Sequence, residues 1–175
     1  VQSNTASGDA INVYLPTGRK LSVDAMTDGA KIGVTTQEVP SITAPVVFGN
    51  ACDTDYSGYF ISDNPDYLVR YNAEKQLVLI STTYNVTYLP GVYGNGQTVV
   101  DPKEKNVDLL LREAIFTRNG YTQTGWSRYD GGEKDYALGA VYTENAPLTL
   151  YPVWEAKTGY TVIFCDEAGK TIGTT

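Results

Sequence analysis

Oxygen-bearing side chains at alternate positions open a segment that could bind a metal ion. Asp53, Asp55, Ser57 and Gly58 match the D-x-D-x-S-G start of a calcium loop, in which alternate oxygens bind Ca²⁺ and the glycine permits the bend. The bidentate glutamate that closes such a loop is missing, because Asn64 stands at the twelfth position. An ordinary Asp/Ser/Gly turn is therefore the favoured interpretation, and calcium is the one candidate cofactor.

Two cysteines offer a second kind of chemistry. Cys52 and Cys165 are the only cysteines in the chain, too few for a four-thiolate zinc site. They could form a disulfide in an oxidising compartment. Because they fall in different predicted modules, free thiols or a bond to another molecule are the alternatives.

Aromatic side chains are the candidates for ligand binding. The chain has 14 Tyr and 2 Trp, and an exposed aromatic face can stack on a sugar or on a protein partner. Trp126, Trp154 and Tyr151 are the candidate binding residues on this ground. Packing in a core is the alternative, and the pattern favours it for both tryptophans.

Several classes of function are excluded by what the chain lacks. It has no histidine, which removes Ser-His-Asp and Cys-His catalysis and histidine-ligated zinc. Its 20 acidic residues single out no catalytic pair, so no catalytic residue is assigned. The formal charge of −7 disfavours nucleic acid and anionic lipid as partners. No apolar stretch reaches the roughly 18 to 20 residues that cross a bilayer.

The elements that must position these residues are short strands, because the apolar runs are short and broken by Gly, Pro, Asn and Asp. The pattern predicts a mainly β or α+β fold with few or short helices. In the first module, residues 1–82, residues 11–15 and 21–25 predict a hairpin. Residues 27–45 predict a loop with a short helix around 30–34. Strands at 46–48, 59–61 and 76–80 complete an order compatible with a β-grasp or a small β-sandwich.

The second half has a denser pattern. Strands are predicted at 84–88, 121–126 and 148–154, with a Gly/Pro/Asn-rich turn at 90–97. Residues 107–114 fit a helix as well as a strand.

Three residues of these strands carry specific expectations. Gly125 should allow a neighbouring backbone or ring to approach closely. Pro152 lacks a donor, so its strand should lie at an edge or turn that nitrogen outward. Gln123 is expected at the surface.

Two spaced motifs stand in this half. Thr117-Arg-Asn-Gly-Tyr121 continues to Gly125-Trp126, and Leu150-Tyr-Pro-Val-Trp154 closes the segment. Residues 84–155 thereby resemble the Listeria-Bacteroides repeat, the internalin B-repeat type of module, with its T-R-x-G-Y-x-x-x-G-W and L-Y-x-x-W hallmarks. Gln123 departs from the usual aromatic residue, and Pro152 stands where a small residue is common.

The resemblance implies a compact β-grasp-like module over residues 83–156, of a kind repeated on exported bacterial proteins. It implies an extracellular or wall-associated, non-catalytic module for adhesion, partner binding or spacing, with a protein or glycan ligand at the cell surface. Residues 157–175 are expected to start a further module or to form a capping hairpin. The alternative is an accessory, carbohydrate-binding region of a larger secreted enzyme.

Overall fold

The fold is mainly β, as predicted. The computed structural model describes residues 5–6, 9–10, 13–159 and 161–174. Within them the longest helical element is the 3-10 turn Ser57–Tyr59. The strands are β1 (Thr5–Ala6), β2 (Asp9–Ala10), β3 (Val13–Leu15), β4 (Ile32–Thr36), β5 (Val46–Val47), β6 (Phe60–Ser62), β7 (Tyr67–Tyr71), β8 (Leu77–Ser81), β9 (Thr83–Tyr88), β10 (Val99–Glu104), β11 (Leu109–Leu110), β12 (Tyr121–Ser127), β13 (Val141–Tyr142), β14 (Leu148–Ala156), β15 (Ile163–Cys165) and β16 (Thr171–Thr174).

The chain divides into two compact units. Unit 1 comprises Val1–Tyr84, Pro102–Asp108 and Thr143–Ala146, and unit 2 comprises Asn85–Asp101, Leu109–Tyr142 and Pro147–Thr175. The sequence predicts a module boundary near residue 83. In the structure, the first segment of unit 1 ends at Tyr84 and the first segment of unit 2 begins at Asn85. Two short segments of the second predicted module belong to unit 1.

Unit 1 contains two three-stranded sheets. One has the order β3-β4-β6 with every pair parallel, and the other has the order β5-β8-β7 with every pair antiparallel. Apolar residues of both sheets and of the adjoining segments form the core: Leu15, Val34, Phe48, Phe60, Leu77 and Leu79.

The hairpin predicted from residues 11–15 and 21–25 is wrong. Residues 16–20 do turn, since the Arg19 N–H donates to Pro16 O at 3.0 Å. However, β3 pairs in parallel with β4, and Leu21 bridges Gly49 instead. Residues 11–12 lie outside the described residues. Alternation predicts that a segment is a strand, but burial against the rest of the chain selects its partner.

The helix predicted around residues 30–34 is also wrong, because Ile32–Thr36 forms β4. Its β-branched residues favour a strand, and Val34 is fully buried between neighbours. Strand β7, Tyr67–Tyr71, was missed. Strands β5, β6 and β8 confirm the remaining predictions for this unit.

A four-stranded sheet organises most of unit 2. Its order is β10-β9-β14-β12, with β14 parallel to β9 and antiparallel to β12. Leu109 pairs with Tyr142 in the β11-β13 ladder, so residues 107–114 take the strand alternative. Buried side chains of these strands and of the segment 111–116 form the core: Val86, Tyr88, Leu111, Phe116, Trp126, Tyr142, Leu148 and Leu150.

Pro152 lies in β14, which is an inner strand of the sheet. The expectation that its strand lies at an edge is therefore wrong. The other alternative, a proline nitrogen turned away from any partner, agrees with the hydrogen bonds. Pro152 faces Trp126 in the β12-β14 ladder. Both backbone groups of Trp126 bond to Tyr136 instead, at 2.9 and 3.0 Å. Pairing of β14 with β9 extends only to Leu150. Pro152 therefore occupies a position where no partner requires a donor.

Gln123, expected at the surface, is buried with 5% of its area exposed. Its Oε1 accepts the backbone N–H groups of Ile115 at 3.3 Å and of Phe116 at 3.2 Å. A glutamine is tolerated in this interior position because it satisfies donors that no strand partner reaches.

The last strands, β15 and β16, pair as an antiparallel hairpin, and a hairpin was one of the two alternatives expected for residues 157–175. Its apolar side chains remain exposed, and Phe164 is 50% exposed. Among the described residues, no helix is long and apolar enough to cross a membrane.

Candidate functional site

Trp126 belongs to the core and cannot be a ligand platform. Its side chain is 0% exposed. The ring lies 4.8 Å from that of Tyr88 and 5.9 Å from that of Phe116, measured between centroids. The candidate binding role of Trp126 is therefore wrong, and the alternative core interpretation is confirmed.

Trp154 and Tyr151 are both partly exposed on β14. Their positions differ in parity, so the two side chains leave opposite faces of the strand. Trp154 shares the face of Pro152 and packs at the margin of the unit 2 core. Of the three aromatic candidates, Trp154 alone lines a groove at the surface of unit 2.

An arginine held between two tyrosine rings is the most distinctive feature of this surface. The Arg118 guanidinium carbon lies 3.6 Å from the ring centroid of Tyr121 and 4.6 Å from that of Tyr93. Such cation–π contacts orient the planar guanidinium. Within residues 13–159 and 161–174, no carboxylate forms a salt bridge with it. Its N–H edges are thus positioned without an acidic partner.

The loop that carries Tyr93 is held by Asp130. One Asp130 oxygen accepts the Val92 N–H at 2.9 Å, and the other lies so close to Gly91 that a Cβ there would clash with it. Gly91 has a φ of +69°, a conformation that glycine adopts without strain.

The following residues fix the other end of this loop. Gly94 lies over the Trp154 ring, since a Cβ there would be 3.2 Å from Cζ2. Asn95 and Thr117 exchange backbone hydrogen bonds of 2.8 and 3.1 Å. The segment before Arg118 is thereby tied to the loop that carries Tyr93.

These elements enclose a shallow groove of about 260 Å³, which we call the Tyr93–Trp154 groove. Gly131 and Gly132 line part of it without a side chain. Its lining is Tyr93, Arg118, Asp130, Gly131, Gly132, Pro152, Val153 and Trp154. It combines aromatic faces with one fixed cation and one carboxylate.

The carboxylates of the predicted calcium loop already have partners. Asp53 forms a 2.5 Å ion pair with Lys75, and Asp55 Oδ1 accepts the Ser57 N–H at 2.8 Å. The second contact is that of the ordinary Asp/Ser/Gly turn, which the sequence favoured. In the described part of the chain, no group of three metal-ligating side chains could hold an ion.

The two cysteines are free thiols in this structure, and a disulfide between them, which would join the two units, stays a prediction. Cys52 is partly buried in unit 1, and Cys165 is exposed on β15 in unit 2. The free-thiol alternative describes this state.

Sequence reasoning missed Tyr93 and Asp130, and it gave Arg118 no role beyond its place in the T-R-x-G-Y motif. One signal was present, since Val92-Tyr93 is an apolar pair inside a Gly/Pro/Asn-rich turn and turns of that composition lie at the surface. Comparisons of the chain with protein family models, curated proteins and solved structures found no match.

Proposed function

We propose that this chain is a non-catalytic extracellular or cell-surface module for adhesion, partner binding or spacing, and that the Tyr93–Trp154 groove is its binding surface. The observation that carries the proposal is the stacking of Arg118 between Tyr93 and Tyr121. This stacking orients recognition groups before any ligand arrives, which lowers the entropic cost of binding.

The ionisable groups of the groove suit recognition better than proton transfer. A guanidinium donates five N–H groups and has no acceptor, so Arg118 is a donor in binding and a poor general base. Asp130 accepts a hydrogen bond from the Val92 N–H, and this bond shapes the loop that carries Tyr93. Asp130 is the one carboxylate among the described residues that line the groove, whereas glycoside hydrolysis uses a pair of carboxylates.

The strand order of unit 2 supports the grasp-like part of the resemblance to the Listeria-Bacteroides repeat. Counting only the four strands of this sheet, the order β10-β9-β14-β12 is 2-1-4-3, and the first and last of these four strands pair in parallel at its centre. The described residues between β10 and β12 contain β11 and loop where a grasp would place a helix.

An immobilised sample of the full chain tests the binding function. We would probe it with a panel of extracellular matrix proteins and of neutral and acidic oligosaccharides, and assay the same panel for product release. Capture without product is the expected result. Product release that one point substitution abolishes would overturn the proposal.

The location is tested with an antibody against the chain. It should label intact cells of the organism that makes the protein, and labelling only after permeabilisation would contradict the surface assignment.

An accessory region of a secreted enzyme is the second candidate, and the aromatic lining of the groove favours it. Capture of insoluble polysaccharide without capture of any protein would support this candidate over an adhesive module.

A further inference from the structure

We infer that the Tyr93–Trp154 groove binds a single pyranose residue of an uncharged glycan. The inference rests on the proposed binding function and names the ligand class for the same surface. Three features of the groove support it: the volume, the aromatic faces, and the pairing of one donor residue, Arg118, with one acceptor residue, Asp130.

The volume of the groove limits the ligand to a small ring. Sites for drug-sized ligands measure about 300 to 1,000 Å³, and this groove measures about 260 Å³. Two lining residues, Gly131 and Gly132, have no side chain that would block further residues of a glycan. One pyranose ring inside the groove is the consistent occupancy.

Aromatic side chains supply the contact for the apolar face of the sugar. The negative face of an aromatic ring attracts polarised C–H groups, which a pyranose presents on its less hydroxylated face. Tyr93 is 61% exposed, and Trp154 borders the same groove. Arg118 and the Val92–Asp130 bond keep Tyr93 in place, so little side-chain entropy is lost on stacking.

The polar groups match hydroxyls better than a charged ligand. A sugar hydroxyl both donates and accepts, so it can accept from Arg118 and donate to Asp130, whose carboxylate retains acceptor capacity beyond the Val92 N–H. The charges of these two residues cancel within the groove. An acidic sugar would face the Asp130 carboxylate and a chain of formal charge −7, which disfavours it.

A panel of immobilised oligosaccharides, neutral hexoses and pentoses beside uronic and sialic acid sugars, tests the inference with the full chain. We expect at least one neutral glycan to bind. Tyr93→Ala and Arg118→Met should each weaken that binding by about tenfold or more, the loss of one well-formed contact. Tyr93→Phe, which keeps the ring, should lose less binding than Tyr93→Ala. Tyr14→Ala, which removes another exposed tyrosine in unit 1, is the matched control.

Circular dichroism melts of each variant separate loss of binding from loss of fold. The inference is overturned if no neutral glycan binds, if only acidic sugars bind, or if Tyr93→Ala and Arg118→Met bind like the parent. Capture of a protein through the groove, with no glycan bound, would also overturn it while leaving the proposed binding function intact. Catalytic product release would instead overturn the proposed function.

Discussion

The indole N–H of Trp126 donates a 2.7 Å hydrogen bond to the backbone carbonyl oxygen of Arg112. The backbone N–H of the same Arg112 donates to the Tyr88 hydroxyl at 3.2 Å. One residue outside the strands is thereby held through both of its peptide groups by two core aromatics. The guanidinium of Arg112 is held as well, in a bidentate pair with Asp101 at 2.6 and 2.7 Å.

Trp126→Ala should unfold unit 2 or nearly so. Replacing a buried tryptophan by alanine typically costs about 3 to 5 kcal/mol, close to the whole free energy of unfolding expected of a small domain. Trp154→Ala should cost less, because Trp154 is partly exposed. Urea denaturation followed by circular dichroism measures both. Equal losses for the two variants would contradict the assignment of Trp126 to the core and Trp154 to its margin.

Gln123→Ala should lower stability far more than a surface substitution does. It leaves the N–H groups of Ile115 and Phe116 without their acceptor, at a cost of about 1 to 3 kcal/mol for each buried group. Thr122→Ala, at the exposed neighbouring position, is the matched control and should stay within about 0.5 kcal/mol. Similar urea midpoints for the two variants would show that the glutamine is dispensable.

Gly125→Ala should destabilise unit 2 because the added methyl group has no room. A Cβ there would lie 2.6 Å from the Tyr136 carbonyl oxygen and against the side chain of Lys134. This confirms the close approach predicted at Gly125. Forced overpacking of this kind costs about 1 to 3 kcal/mol. Gly58→Ala meets nothing within 4 Å and serves as the control. A melting temperature for Gly125→Ala equal to that of Gly58→Ala would refute the expectation.

Alkaline pH should destabilise unit 2 through Tyr88. Burial raises the pKa of its hydroxyl and outweighs the Arg112 N–H, which favours the anion. The folded state therefore keeps the proton to higher pH than the unfolded state. Stability from this group is constant below the unfolded pKa of about 10 and falls as pH rises from there through the folded pKa.

Tyr88→Phe removes this titration. The urea midpoint should fall less between neutral and strongly alkaline pH for Tyr88→Phe than for the parent chain. Identical slopes would place the alkaline loss elsewhere.

The melting temperature should be the same in millimolar calcium as in millimolar magnesium. Among the described residues, no group of three His, Cys, Asp or Glu side chains could hold a metal ion, and the Asp53 carboxylate is paired with Lys75. A rise specific to calcium, lost in Asp55→Asn, would restore the calcium-loop interpretation.

The sequence by itself determined the features that depend on neighbouring residues. Short apolar runs between turn-forming residues predicted a mainly β fold, and a glycine before Trp126 predicted a close approach. These hold because side-chain direction alternates along a strand whatever the strand pairs with.

Tertiary structure decided the features that depend on residues far apart in the chain. β3 pairs with β4 because its apolar side chains are buried there, and alternation does not name a partner. Gln123 is interior because it satisfies two N–H groups that its own sequence context does not reveal. The groove unites Tyr93, Arg118, Asp130 and Trp154 from four separate segments. Only packing of the folded chain brings such segments together, so no local pattern could have located it.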